Sequence, residues 1–180
     1  GAGFAEYPGV QGHAFFRRDR QAAQRAGFNL WCETGYRSKT DRHLTGQQYD
    51  IALITNPSFG VEDFLTEVLY QLGIEPTQTK VKLLHLLNER LLENYKKGKQ
   101  TLIVVDEAQA IPDNQVFEEL RLLLNFQLND RFLLTLVLMG QPELSDRMMT
   151  LKQFAQRISI KYHLGYFSAQ QTTEYVRFRL

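Results

Sequence analysis

Asp106 and Glu107 stand side by side after Thr101–Val105, a run of β-branched and apolar residues with the composition of a strand buried on both faces. Burying a carboxylate costs several kcal/mol unless something compensates it. At the carboxyl end of a strand in an open parallel sheet, both acids lie where ligands bind. One acid there commonly holds Mg²⁺ through its water shell, and a second can act as a base toward a water attacking a phosphate. A structural alternative stands beside this chemistry, in which Asp106 caps the helix that follows.

The same edge should carry a phosphate cradle, and "ETGYRSKT" (33–40) is placed for one, with Gly35, then Lys39 and Thr40, between a strand and a helix signal. A P-loop reads Gly-x-x-x-x-Gly-Lys-Ser/Thr, because glycines let consecutive backbone N–H groups curl round phosphates. Here three residues separate Gly35 from Lys39, Ser38 stands where the second glycine belongs, and Asp41 adds a negative charge. On spacing alone, a solvated Lys-Thr pair is the default. His13, His43, His85 and His163 show no metal-ligand spacing and suit polar or partly buried structural roles.

These residues need a scaffold, and the chain alternates strand and helix signals. "FNLWCE" (28–33), "DIALIT" (50–55), "TLIVVD" (101–106), "FLLTLVLMG" (132–140) and "ISIKYHL" (158–164) read as strands, most of them continuously apolar. Helical patterns lie between them. "VEDFLTEVLYQLG" (61–73) ends in Gly73. "KVKLLHLLNERLLENYKKGK" (80–99) puts Leu84, Leu87, Leu91 and Tyr95 on one face and stops at Gly98. "NQVFEELRLLLNF" (114–126) is a third, its leucines facing the core. "SAQQTTEYVRFRL" (168–180) opens with a capping box, Ser168 to Gln171. Strand and helix in alternation predict a doubly wound α/β domain over 28–180, preceded by an irregular segment, 1–27, that shows no period.

Composition sets the bounds. The 180 residues, 43% hydrophobic and 23% charged, suit one ordinary globular domain. No apolar run approaches the roughly 20 residues of a membrane span, and no signal-peptide pattern opens the chain. A single cysteine, Cys32, excludes an internal disulfide or a multi-cysteine metal site and fits a reducing cytoplasm. The opening glycine reads as the start of a fragment or a processed product. Net charge is +1, yet residues 13–43 carry seven basic and three acidic side chains. That excess suits an anionic ligand or a solvated basic face.

Four stretches then fall in one family's order: "YDIALITNP" (49–57), "LIVVDEAQAIP" (102–112), "EELRLLLNFQLNDRFLLTLVLMGQPEL" (118–144) and "QRISIKYHLGYFSAQQTTEYVRFRL" (156–180). Through them the chain resembles the general secretion pathway ATPases of the ExeA/GspA kind, members of the AAA+ superfamily. The resemblance implies a P-loop NTPase core, a five-stranded parallel sheet flanked by helices, with the small C-terminal lid absent. It makes Asp106 and Glu107 the Walker B acids, Gln141 sensor 1, and Asn56 a polar switch residue that restrains the catalytic glutamate. Arg157 becomes the arginine that reaches a neighbouring subunit's nucleotide; Arg147 is the other candidate, and a surface salt bridge is open to either.

By the same resemblance, ATP lies at Gly35, Ser38, Lys39 and Thr40. Thr40 and Asp106 hold Mg²⁺, Lys39 meets the β/γ-phosphates, and Glu107 orients and deprotonates the attacking water. The family's Thr-Gly-x-x-Gly-x-Gly-Lys-Thr departs here to "TGYRSKT". Two accounts stand: a degenerate loop that binds nucleotide poorly, or a sequence compressed at this point, since the register resumes directly after it. Survival of the Walker B, sensor and arginine positions favours the second. The implied protein is a cytoplasmic homo-oligomer, peripheral to the inner membrane face through regions outside 1–180. It uses ATP to assemble or remodel a partner in secretion or cell-envelope machinery. Two alternatives are a nucleic-acid-associated regulator of the transposition type and a non-hydrolysing nucleotide-binding scaffold.

Overall fold

The computed structural model describes residues 14–17, 49–77, 79–128, 131–158, 160–161 and 169–179. In chain order the elements are β1 (Ala14–Arg17), β2 (Tyr49–Ile54), α1 (Val61–Gln71), α2 (Lys80–Lys96) and β3 (Gln100–Val105). A 3₁₀ turn (Ala108–Ala110) leads to α3 (Asn114–Leu123), β4 (Gln127–Leu128), β5 (Arg131–Phe132) and β6 (Leu134–Met139). The rest is α4 (Pro142–Thr150), α5 (Lys152–Ala155), β7 (Ile160–Lys161) and α6 (Ala169–Arg179). Five strands form one sheet in the order β2-β3-β6-β1-β7, and every pairing in it is parallel.

The acid-bearing strand is central, which explains its composition. β3 is buried from Thr101 to Val105, and its residues alternate between two apolar clusters. Ile103 and Val105 join Ala52, Ile54, Leu136 and Leu138 on one face, under Phe64 and Val68 of α1, Leu87 of α2, Phe117 of α3 and Phe154 of α5. Leu102 and Val104 join Val137 and Met139 on the other. Parallel pairing holds Ile54, Val105 and Leu138 on one rung, so β2 and β3 end level and β6 runs one residue further.

The helices follow their apolar stripes and stop where expected. Gly73 and Gly98 adopt φ of +73° and +69° just past α1 and α2, the left-handed C′ conformation that glycine takes without a Cβ penalty. The buried face of α2 is Leu83, Leu87, Leu91 and Asn94, rotated slightly from the predicted stripe; Leu84 and Tyr95 flank it, partly buried. The rotation brings a polar residue inside. Asn94 donates to Asp50 Oδ2 (2.7 Å) and Thr101 Oγ1 (2.9 Å), joining α2 to the amino ends of β2 and β3. Arg90 adds a second donor to Asp50 at 2.7 Å and reaches the Leu72 carbonyl at 3.2 Å. Partial burial works against the Arg90 charge, but the hydrogen bond and charge of Asp50 outweigh it, with Glu93 adding to them, and its pKa is raised. Glu93 itself is held below the usual carboxylate range by hydrogen bonds from Lys97 and then Arg90.

Two details differ from the sequence reading, and two expected strands lie wholly or partly outside the described residues. The first strand in the described residues is Ala14–Arg17, inside the segment read as irregular; four residues are too few to display a period. The expected strand at 28–33 lies outside the described residues. The long strand expected over 132–140 is broken at Leu133: Phe132 belongs to an antiparallel hairpin in which Gln127 pairs with Phe132 and Leu128 with Arg131, and uninterrupted apolar composition hid that break. Of the strand expected at 158–164, β7 takes Ile160–Lys161, while 162–168, including the capping residue Ser168, lies outside the described residues.

Candidate active site

Past the shared rung, the ends of β2, β3 and β6 bring Asn56, Asp106–Glu107 and Gly140–Gln141 to one edge. Asp106 extends the ladder by one step, its N–H donating to the Ile54 carbonyl at 2.8 Å, and it stays 6% exposed. Its Oδ1 accepts the Glu107 N–H at 2.9 Å. The helix that follows is capped instead by Asp113, which accepts the Gln115 N–H at 2.8 Å, so the capping explanation for Asp106 falls away.

Glu107 has φ 51° and ψ 39°, the single non-glycine residue with positive φ among the described residues. Such a conformation costs an L-residue roughly 1–2 kcal/mol, and it persists where surrounding bonds over-determine it. Here the turn from a buried strand into the 3₁₀ turn leaves Glu107 half-buried. Gln109 Nε2 donates to its Oε2, and Gln109 Oε1 accepts the Gln141 N–H at 3.1 Å. Gln141 is the exposed N-cap residue of α4, and its side chain makes no capping bond; Pro142 occupies the first turn instead.

Asn56 is exposed on the adjacent strand end, where its Oδ1 accepts from Ser58 Oγ at 3.0 Å. Thus Gln109, a residue the sequence reading passed over, supplies the side-chain bond to Glu107. The available signal was a glutamine two positions beyond an acid pair, matched by a glycine, Gly140, where a second buried strand ends.

The two arginines separate cleanly. Arg147 is committed within the chain: Nε donates to Asn114 Oδ1 (2.9 Å), one terminal nitrogen to the Ile111 carbonyl, the other to the Pro112 carbonyl (3.5 Å). Its guanidinium carbon lies 4.8 Å from the centre of the Phe117 ring, a cation–π arrangement. Arg157 is exposed beyond α5, with its N–H on the Phe154 carbonyl at 2.9 Å. It enters β7 from the amino-terminal side of the sheet, whereas Glu107 leaves β3 from the carboxyl side, so the two do not meet within one chain. Gly35, Ser38, Lys39 and Thr40 lie outside the described residues, as do His13, His43 and His163; His85 is exposed on α2.

Among the described residues no group of three or more His, Cys, Asp or Glu could enclose a metal ion. Mg²⁺ does not ask for such a cage, because it keeps several waters and takes one or two carboxylates together with substrate phosphates. The hard oxygen ligands of a strand-end aspartate fit that pattern. No described helix is long and apolar enough to cross a membrane.

A domain model described as "AAA domain" matches residues 28–148 of this chain. The chain belongs to the AAA family. General secretion pathway protein A of Aeromonas hydrophila is 42% identical over 135 residues, which make up 73% of this chain and 24% of that protein. The AAA chain therefore spans about a quarter of the length of that relative. Among solved structures, the ORC2 protein of Aeropyrum pernix, described in ADPNP–ADP complexes, superimposes with a TM-score of 0.66 at 16% identity, covering 93% of this chain and 45% of its own. Cdc6p from Pyrobaculum aerophilum gives 0.63 at 12% identity, covering 93% and 42%. These likenesses show the P-loop AAA+ fold, in agreement with the AAA domain model.

Proposed function

We propose that this AAA domain binds ATP with Mg²⁺ and hydrolyses it within a homo-oligomer, using the cycle to assemble or remodel a secretion or cell-envelope partner. The observation that carries the reading is the acid pair at the end of the central strand: a buried Asp106 beside a half-buried Glu107 in a left-handed turn. Asp106 with Thr40 would hold Mg²⁺, which would supply positive charge to the phosphate oxygens. Gly35 and Ser38 lie in the phosphate loop, and Lys39 meets the β/γ-phosphates. Glu107 orients the attacking water and takes its proton, while Gln141 lies toward the γ-phosphate and Asn56 flanks Glu107. Arg157, exposed and remote from its own Glu107, serves the neighbouring subunit. Arginines acting in trans contribute on the order of 10³–10⁵ in rate, so turnover requires assembly. The name of the Aeromonas relative supports a place in secretion; the setting is the cytoplasm, at the inner membrane face.

The test is Glu107→Gln, in which the amide keeps the shape and loses the base. ATP hydrolysis should disappear while ATP binding is retained or tightened. Unchanged turnover would remove Glu107 from the mechanism.

A further inference from the structure

We infer that Gln109 is a positioning residue that holds Glu107 ready for water activation and ties it to the end of β6; the inference rests on the ATPase reading above. One amide makes two bonds in opposite directions. Its Nε2 donates to Glu107 Oε2, and its Oε1 accepts the Gln141 N–H at 3.1 Å. The chemistry of the partners fixes which end points where: an ionised carboxylate only accepts, and a backbone N–H only donates. Accepting one bond polarises the amide and strengthens the other. With Oε2 held, Glu107 Oε1 takes no hydrogen bond among the described residues and offers its lone pairs to a water.

A second position is shaped around this bridge. A Cβ built at Gly140 falls 2.4 Å from Gln109 Oε1 and 2.9 Å from Leu144 Cδ2. The end of β6 is therefore glycine where the amide must pass to reach Gln141. The bridge also crosses the site itself. Gln141 begins α4 at the position implied for the γ-phosphate sensor, so a movement there reaches Glu107 through a single side chain. Asn56, whose Oδ1 takes the Ser58 hydroxyl, makes no bond to Glu107 among the described residues.

ATP turnover by the wild type, Gln109→Ala, Gln109→Glu, Gly140→Ala and the double variant Gln109→Ala/Gly140→Ala tests the assignment. Loss of orientation should lower kcat about 10–100-fold in Gln109→Ala while KM for ATP changes less than about twofold. Gln109→Glu has the same shape but cannot donate to Glu107, so it should do no better than alanine; a packing role would be rescued by it. Gly140→Ala should lower kcat in the wild type by a larger factor than once Gln109 is alanine, because the amide it displaces is then gone and the Leu144 contact alone remains. Unchanged or raised kcat in Gln109→Ala, rescue by Gln109→Glu, or an equal Gly140→Ala loss in both backgrounds would each overturn the role. If the wild type hydrolyses ATP and Glu107→Gln abolishes it, those outcomes overturn the positioning role alone. A wild type without turnover overturns the ATPase reading and the role with it.

Discussion

Replacing Asn94 with alanine should destabilise the domain by about 2–4 kcal/mol without touching the nucleotide site. Asn94 is 2% exposed, and its amide bridges Asp50 Oδ2 at 2.7 Å and Thr101 Oγ1 at 2.9 Å. A hydrogen bond to a charged partner is worth about 1.5–3 kcal/mol net and a neutral one about 0.5–1.5. Asp50 keeps Arg90 at 2.7 Å, but Thr101, 1% exposed, loses the Asn94 amide and has little access to water. For a chain of this length the loss amounts to roughly 5–15 °C in Tm. Urea unfolding followed by circular dichroism measures it at unchanged m-value. Thr101→Val should cost less in the Asn94→Ala background than in the wild type, since one bond cannot be lost twice. A change below about 1 kcal/mol, or strict additivity of the two substitutions, would refute the assignment of this network as the clamp on the amino ends of β2 and β3.

Arg147→Ala should cost about 2–3 kcal/mol, from its bonds to Asn114, Ile111 and Pro112 and its place over Phe117, and Arg147→Lys should recover little because an ammonium lacks the planar fork. A urea midpoint indistinguishable from wild type would show those contacts to be idle. Arg157→Ala should leave Tm and ATP binding by a single subunit nearly unchanged and cut hydrolysis sharply; mixing it with Glu107→Gln subunits should restore part of the turnover, and a joint fall in Tm and activity would make Arg157 structural instead.

What could be read from the sequence is what local pattern encodes. An apolar run ending abruptly in two acids is a statement about one strand, and β3 has the position it implied. Helix stops at Gly73 and Gly98 depend on residues within a turn of each other, and both glycines adopt the expected left-handed backbone. A place directly before a strand favours Arg157 over Arg147 from sequence, but the contacts that occupy Arg147 lie beyond local pattern. Only packing of α4 against the 111–117 segment shows that Arg147 is engaged. The hairpin of β4 and β5 was equally hidden, since composition cannot mark the single residue at which a chain stops pairing with itself and joins the main sheet.

The polar residues of the interior show why periodicity fell short, and what the missed ones are for. Asn94 and Gln109 are both amides that pass for surface residues in a helical or turn pattern, and each bridges a carboxylate to a second group brought up from a distant element. Asn94 bonds the amino ends of β2 and β3, and Gln109 lies past the carboxyl end of β3. At the amino end, Asp50 is shared between Arg90 and Asn94 and packed under α2, so its charge is matched and the end is closed. At the carboxyl end, Glu107 receives one amide among the described residues, in a backbone conformation it would not choose alone, beside an exposed Gln141. Two donors on Oδ2, one of them the charged Arg90, make Asp50 an anchor, whereas Glu107 takes a single neutral amide among the described residues. The β2–β3 pair thus carries its polar anchor at the amino end and its acid pair at the carboxyl end, and the two acids differ in how many donors each is given among the described residues.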